Sequence, residues 1–531
     1  MKLNNFFEKN RSKFFVCLIF FSLLSRILAL GYVNKVIFDE VHFGKFITQY
    51  LKGEYFFDIH PPLGKLLLAG IAKFVKLSPS TSFAHIGLPF PPYTPIAPMR
   101  FLPALMGALL VITVFLLTEK ITQSSRAGFI SAMAILFDNA LIAQSRFISL
   151  DTTMLFFITL AIYAYLMSEQ TRKKFWLILS GISGAIAVSI KWIGLIGLAV
   201  VYILILWNYI SIRRIPYKLS FKNICFIIFT LFFIPFIIYY STFAIHFNLL
   251  KKPGDGNAFM SQAFNAPFYS SDKTVKELPL FKKFTELNIV MYKANLQNLK
   301  HTYSSKWFTW PLMLRPISYL HLSMGNDLVQ NITFLGNPFV WWLSTLGMLA
   351  FIILIFLKKF FPYRFKEIPE FPNKRIILLG YIISYLPFIS ISRCMFLYHY
   401  LPALIFSIIA TAMLIDKFLL PEDREIPSPF PSIVTLITFL PIVVLISRAV
   451  YLLYLPREIP FLLGIFFIIL SSLLSLFFYF KAKNIYRISN LWLLVIFLLI
   501  LGGFFIFMPL SYGIPIKGKT FEFYMWIKSW I

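Results

Sequence analysis

The stretch Leu491-Trp-Leu-Leu-Val-Ile-Phe-Leu-Leu-Ile-Leu-Gly-Gly-Phe-Phe-Ile-Phe-Met-Pro-Leu510 carries no charged residue. It has the length of roughly 20 apolar residues that a helix needs to cross a bilayer core. It is one of many such runs. The chain has 531 residues, of which 59% are hydrophobic and only 14% charged. A soluble domain carries roughly 25% charged residues, so polar surface is too scarce here to coat a globule. The composition predicts an all-α polytopic membrane protein.

Thirteen spans are predicted, at 14–31, 99–117, 127–143, 151–168, 175–190, 192–210, 223–246, 338–357, 376–392, 396–416, 432–453, 459–480 and 490–510. The chain carries a net charge of +28. The basic residues cluster in short loops between spans, which points to membrane topology rather than nucleic acid. Arg172, Lys173 and Lys174 follow the fourth span. Arg213, Arg214, Lys218 and Lys222 follow the sixth, and Lys358, Lys359, Arg364, Lys366, Lys374 and Arg375 the eighth. If the spans alternate, all fall on one side with the N-terminus, and that side is predicted to be cytoplasmic. The C-terminus is then expected outside. The first apolar run follows a basic N-terminus, but no small-residue cleavage site follows it, so it reads as a retained span. Cys17, Cys225 and Cys394 lie in or at the ends of apolar runs and form no disulfide framework. No internal repeat, low-complexity tract, GxGxxG or Walker pattern is visible.

Two long loops fall on the outer side, at 32–98 and 247–337, and both are expected to be ordered. They divide the chain into a first membrane module (1–246, including the loop 32–98), the second outer loop, and a C-terminal membrane module (338–531). In the first loop, Phe43, Phe46, Ile47, Tyr50 and Leu51 form a helical stripe, with Lys45, Gln49 and Lys52 on the other face. This is an amphipathic helix for the interface plane. A second helix is predicted from Pro61-Pro62 to about Val75, since proline suits a first helical turn.

Acidic residues are scarce, so their placement is informative. Asp39 and Glu40 open the amphipathic helix. Spacing alone favours a helix cap for Asp39. A carboxylate held at the bilayer face would also be partly desolvated, and so a stronger base. Arg100, Arg146, Lys191 and Arg393, the last near His399, sit with Asp151 at predicted outer ends of spans. Each cation alone is an ordinary interfacial anchor, whereas their convergence on one face suits a lipid-linked phosphate. His60 is either structural or part of that site. His42, His60, Asp39 and Glu40 are metal-ligand types, but no spacing such as HExxH accompanies them, so no metal ligands are assigned. A transporter would place its charges near the midplane, often within repeats. Here the charges sit at outer ends.

Nine segments resemble the protein O-mannosyltransferase family, within the polytopic GT-C glycosyltransferases. They are Phe38-Asp-Glu-Val-His-Phe-Gly-Lys45, Phe56-Phe-Asp-Ile-His-Pro-Pro-Leu-Gly-Lys65, Gln144-Ser-Arg-Phe-Ile-Ser-Leu-Asp151, Ser189-Ile-Lys-Trp-Ile-Gly194, Gly254-Asp-Gly-Asn-Ala-Phe-Met-Ser261, Trp310-Pro-Leu-Met-Leu-Arg-Pro316, Leu335-Gly-Asn-Pro338, Phe396-Leu-Tyr-His-Tyr-Leu-Pro402 and Pro509-Leu-Ser-Tyr-Gly513. The resemblance implies a GT-C fold. It also implies inverting transfer of mannose from polyprenyl or dolichyl phosphate to Ser or Thr of secreted or membrane proteins, with the translocon as an expected partner and no nucleic acid. The Asp39–Glu40 pair is assigned to catalysis, with Asp39 resembling the family's catalytic acid, and Arg100 matches an important family arginine and is assigned to the donor phosphate or sugar. His60, Arg146, Asp151, Lys191, Arg393, Tyr398 and His399 are assigned to donor phosphate or sugar by position. No cofactor is implied beyond the lipid-phosphate sugar, which is substrate, and a divalent metal is left open. Eukaryotic members carry a β-trefoil MIR domain in the second outer loop. Here that loop is too short for one, so the chain resembles a prokaryotic member of the cytoplasmic membrane. A lipid or glycan acceptor is the alternative reading. The extra spans at 432–480 have no counterpart role in the family.

Overall fold

Uncharged runs too long for a soluble core helix become helices because a bilayer offers no water to backbone N–H and C=O groups. The computed structural model describes residues 7–210, 220–268, 275–297, 300–366, 368–419, 469 and 485–530. Helices of seven residues or more come first as α1 (Arg11–Ile27), α2 (Glu40–Lys52), α3 (Leu63–Phe74), α4 (Ile96–Thr122), α5 (Ser125–Leu136) and α6 (Asn139–Ser145). Next are α7 (Asp151–Thr171), α8 (Lys174–Ile190), α9 (Leu195–Ile210), α10 (Phe221–Leu249, π-helical at Phe229–Phe233) and α11 (Leu280–Asn295). After these follow α12 (Pro338–Phe360), α13 (Lys374–Tyr385), α14 (Leu401–Leu414), α15 (Ile485–Tyr512) and α16 (Gly518–Tyr524).

Among the described residues, seven helices are long and apolar enough to cross a membrane, or eight if the bent pair α5–α6 is one span. Three predicted spans coincide with shorter helices, namely α1 and α8 with 17 residues each and α13 with 12. The predicted spans at 432–453 and 459–480 lie outside the described residues, Ile469 apart. α4 packs against α1, α5 and α7, and α7 against α8. α14 is sandwiched among α12, α13 and α5. α10 leaves Phe229, Phe232, Phe233, Phe236 and Ile237 exposed, which is what a lipid-facing helix shows.

The break between α5 and α6 turns the chain by 62°. Asp138 holds it: one carboxylate oxygen caps α6 at the Leu141 N–H (2.9 Å), and the other accepts from Asn337 N (3.0 Å) and the Trp341 indole (2.8 Å). Broken helices survive at membrane depth only when their freed groups find such partners. The bend sends Gln144, Arg146 and Asp151 toward the end of the bundle where α2 and α3 lie.

Both amphipathic helices of the first loop form as read, α2 over the Phe43–Leu51 stripe and α3 after Pro62. The second loop adds a sheet that the sequence reading did not anticipate. β1 (Ile317–Gly325) and β2 (Leu328–Phe334) make an antiparallel hairpin, and β3 (Ile516–Lys517) joins the β2 edge. Gly325 pairs with Leu328 across Asn326 and Asp327, whose φ angles are +50° and +59°, a two-residue turn of the type that matches strand twist. The sequon residue Asn331 is buried in β2 and bonds His321 and Thr333, which withdraws it from modification.

The second loop also covers the polar face of α2. Asp255 accepts from Gln49 (2.8 Å) and pairs with Lys45 (2.5 Å), so Gln49 is buried rather than solvated. Gly254 and Gly256 permit this docking. A Cβ at Gly254 would sit 2.1 Å from the Tyr55 carbonyl oxygen, and one at Gly256 2.3 Å from the Phe56 carbonyl carbon.

Candidate active site

α2 begins one residue after Asp39, and its first turn separates two adjacent carboxylates by fate. Glu40 points into the bundle and is fully buried. It accepts from Arg100 Nε (2.7 Å) and Nη2 (2.8 Å), from Ile37 N (2.9 Å) and from Ile148 N (2.9 Å). Arg100 completes its set on the carbonyls of Leu30 (3.2 Å), Val33 (2.7 Å) and Lys35 (2.8 Å). All five guanidinium donors are then engaged. This bidentate pair locks the chain entering α2 onto α4.

Asp39 differs. It stands at the N-cap position of α2, yet its side chain makes no capping bond and its φ of −65° is already helical. Its carboxylate has no hydrogen-bond partner among the described residues, and the residue is only partly buried. Protein surrounds it otherwise, and this desolvation raises its pKa from the ordinary carboxylate range to about 7. Lys191 opposes the rise, while Asp151 and Asp58 add to it.

The groups around Asp39 and His60 come from separate elements. Lys191, at the C-terminal end of α8, donates to Asp151 at the start of α7 (2.8 Å) and lies 5.5 Å from the Tyr398 ring centre. Burial, reinforced by Lys191, Lys65, Arg393 and His399, holds His60 well below the ordinary histidine range, so its ring is neutral at pH 7. Arg393 donates to the Asn295 side-chain oxygen at the end of α11, and that amide also donates to the Ile59 carbonyl (3.0 Å). His399 stacks between Trp310 and Tyr398. Lys65 is buried against Asp58 and the carbonyls of His60 (2.7 Å) and Pro61 (3.1 Å), fixing the turn that carries His60. One electrostatic neighbourhood therefore unites Asp39, His60, Asp151, Lys191, Arg393, Tyr398 and His399.

The remaining predicted cations lie elsewhere. Arg100 is spent on Glu40 and backbone, as described. Arg146 donates to the carbonyls of Arg26 (2.9 Å), Leu28 (2.8 Å) and Ala29 (3.1 Å), with its guanidinium 4.3 Å from the Tyr512 ring centre. It thereby closes the C-terminal end of α1, where carbonyls lack helical partners. Sequence reading missed Asp58, Lys65, Gln144, Asn295 and Tyr319. The first three lie inside the quoted segments. Asn295 and Tyr319 have no local signal beyond the helix end and the hairpin that carry them. Among the described residues, no group of three or more His, Cys, Asp or Glu is arranged to hold a metal ion.

The chemistry available is a basic carboxylate faced by the Lys191–Asp151 ion pair. The family model described as dolichyl-phosphate-mannose-protein mannosyltransferase matches residues 16–251. That of the C-terminal four-TMM region of protein O-mannosyltransferase matches 280–464. The dolichyl-phosphate-mannose–protein mannosyltransferase 1 of Saccharomyces cerevisiae is 29% identical over 323 residues, covering 59% of this chain and 39% of the yeast protein. The protein of the same name from Candida albicans is 37% identical over 249 residues, 45% of this chain and 28% of that one. The matched regions thus span well under half the length of these relatives. The solved S. cerevisiae Pmt1–Pmt2 protein O-mannosyltransferase complex, bound to the sugar donor, superposes with a TM-score of 0.76 at 21% identity, covering 98% of this chain and 92% of that one. That likeness extends the shared fold over almost the whole chain. With two models of one family matching consecutive stretches that together cover most of the chain, the chain belongs to the protein O-mannosyltransferase family.

Proposed function

We propose that this chain moves mannose from polyprenyl or dolichyl phosphate to Ser or Thr hydroxyls of translocated proteins, with inversion at the anomeric carbon. The observation that carries the reading is the Asp39 carboxylate, partnerless among the described residues, raised to about 7 and faced by Lys191. Such a group takes up a proton near neutral pH, which is what a general base must do. In the proposed step, the acceptor oxygen loses its proton to Asp39 as it bonds to the anomeric carbon. The bond from that carbon to the lipid phosphate breaks, and the phosphate leaves with its electron pair. Arg393 and Lys191 would supply the preorganised cations that stabilise the growing phosphate charge. Neutral His60 would offer a hydrogen bond without adding charge. Glu40, Arg100 and Arg146 position the backbone around the site rather than touch substrate.

The basic loops support a topology with the N-terminus inside and the site on the outer face of a prokaryotic cytoplasmic membrane. Acceptors would then be secreted or membrane proteins leaving the translocon. The test uses the purified protein in lipid, radiolabelled polyprenyl-phosphate mannose, and Ser- and Thr-containing peptides. Label on peptide hydroxyls is expected. Label found only on lipid or glycan would overturn the acceptor assignment.

A further inference from the structure

Tyr319 of β1 touches both halves of the site. Its ring stacks on Phe38 with centroids 4.4 Å apart, and its carbonyl accepts from Phe38 N (3.1 Å). Phe38 has a φ of +37°, a left-handed conformation costly for a bulky residue, and it immediately precedes Asp39. The contacts of Tyr319 therefore hold the strained turn that aims the carboxylate. At its other end, the Tyr319 hydroxyl donates to the Gln144 side-chain oxygen Oε1. Gln144 Nε2 donates to Asp151 Oδ2 (2.9 Å), and Lys191 Nζ donates to Asp151 Oδ1 (2.8 Å). The polarity of this chain is forced. Asp151, ion-paired with Lys191, accepts from Gln144, so Gln144 shows it the NH2 group and turns its oxygen to Tyr319, which must then donate. All four side chains are buried, so no water substitutes for a missing member.

We propose that Tyr319 is a positioning residue for transfer, whose hydroxyl sets the Gln144 amide so that Asp151 is shared between Gln144 and Lys191, fixing the charge presented to Asp39. The inference rests on the reading of Asp39 as the base. The groups facing that carboxylate are Lys191, Asp151 and Asp58, with the Tyr319 and Tyr398 hydroxyls, while Glu40 beside it is neutralised by Arg100. Without the Tyr319 hydroxyl, the Gln144 amide is free to turn away. Asp151 then draws Lys191 more strongly, and less of the lysine charge favours ionised Asp39.

The test compares pH–rate profiles of the wild type, Tyr319→Phe, Gln144→Leu and the double variant, each scaled to folded protein. Tyr319→Phe keeps the ring stacking and removes only the oxygen. Its expected effects are an acid limb moved to higher pH and a maximal rate lowered about tenfold, the order of one buried hydrogen bond. The KM for the lipid donor should stay within about twofold, since no donor contact is removed. Gln144→Leu should shift the limb in the same direction, and the double variant should add nothing further, as members of one chain do. A merely structural role would reduce folded protein and leave the acid limb in place, which would overturn the proposal. Additive shifts in the double variant would overturn it too. If instead the wild type shows no acid limb near pH 7, the reading of Asp39 itself fails, and the two failures are told apart.

Discussion

The two ends of α4 carry buried or half-buried charge, and they treat it in opposite ways. At the Glu119 end, Arg11 binds both carboxylate oxygens of Glu119 (2.6 Å each), and Ser125 donates to the same group. Nearby, Asp416 takes Arg126 Nε (2.6 Å) and the Ser124 hydroxyl (3.0 Å). Both of these acids are satisfied from within the chain. At the Arg100 end, about 28 Å away along the helix, Glu40 and Asp58 are satisfied in the same manner, but Asp39 is not. Pairing of a buried charge speaks about how the bundle holds together. A carboxylate left with spare valence beside Lys191 speaks about chemistry, because its energetic cost has no structural return.

Substitutions should separate these two kinds of charge. The largest effect is expected for Arg100→Leu, which strands Glu40 as an uncompensated buried carboxylate. Breaking one side of such a pair costs about 3–5 kcal/mol. Thermal unfolding in detergent should show a large drop in Tm, and an unchanged Tm would mean that the pair is not the clamp described. Asp39→Asn should do the reverse. An unfolded aspartate loses its proton near about 3.9, whereas folded Asp39 keeps it up to about 7. Between these values the fold binds more protons than the unfolded chain, so stability falls as pH rises through the window and is level above it. The asparagine variant lacks that fall. It should therefore match the wild type at low pH and exceed it in Tm above pH 7. A variant less stable than the wild type at pH 8 would show Asp39 to be structural. The smallest effect is expected for Lys45→Ala, since Lys45 and Asp255 are both more than half exposed. It should cost roughly 0–1 kcal/mol, and a larger loss would mean that the second loop is held to α2 mainly by that pair.

How far the sequence alone could reach follows the range of each interaction. Spans and amphipathic helices were legible because their signal is local periodicity, as the Phe43–Leu51 stripe shows. The β1–β2 hairpin lies in a loop read only as ordered, although Gly325-Asn-Asp between Ile317–Ser323 and Leu328–Phe334 carried a turn signal. The partition of charge was not legible. Arg100, Arg146, Lys191 and Arg393 look alike as cations at helix ends. Only the fold shows that the first is consumed by Glu40, the second by the carbonyls ending α1, that Lys191 faces Asp39, and that Arg393 lies beside Tyr398 and His60. Spacing also favoured Asp39 as a cap. The helical φ at that residue and the missing capping bond remove this reading, and the carboxylate is freed for another role.

The most direct test of that role is mannosyl transfer by Asp39→Asn in lipid, with binding of the lipid-phosphate donor measured on the same preparation. A positioned general base contributes typically 10²–10⁴-fold. The account predicts a loss of transfer in that range, with donor binding retained and the protein fully folded. Transfer at the wild-type rate by the folded asparagine variant would contradict it.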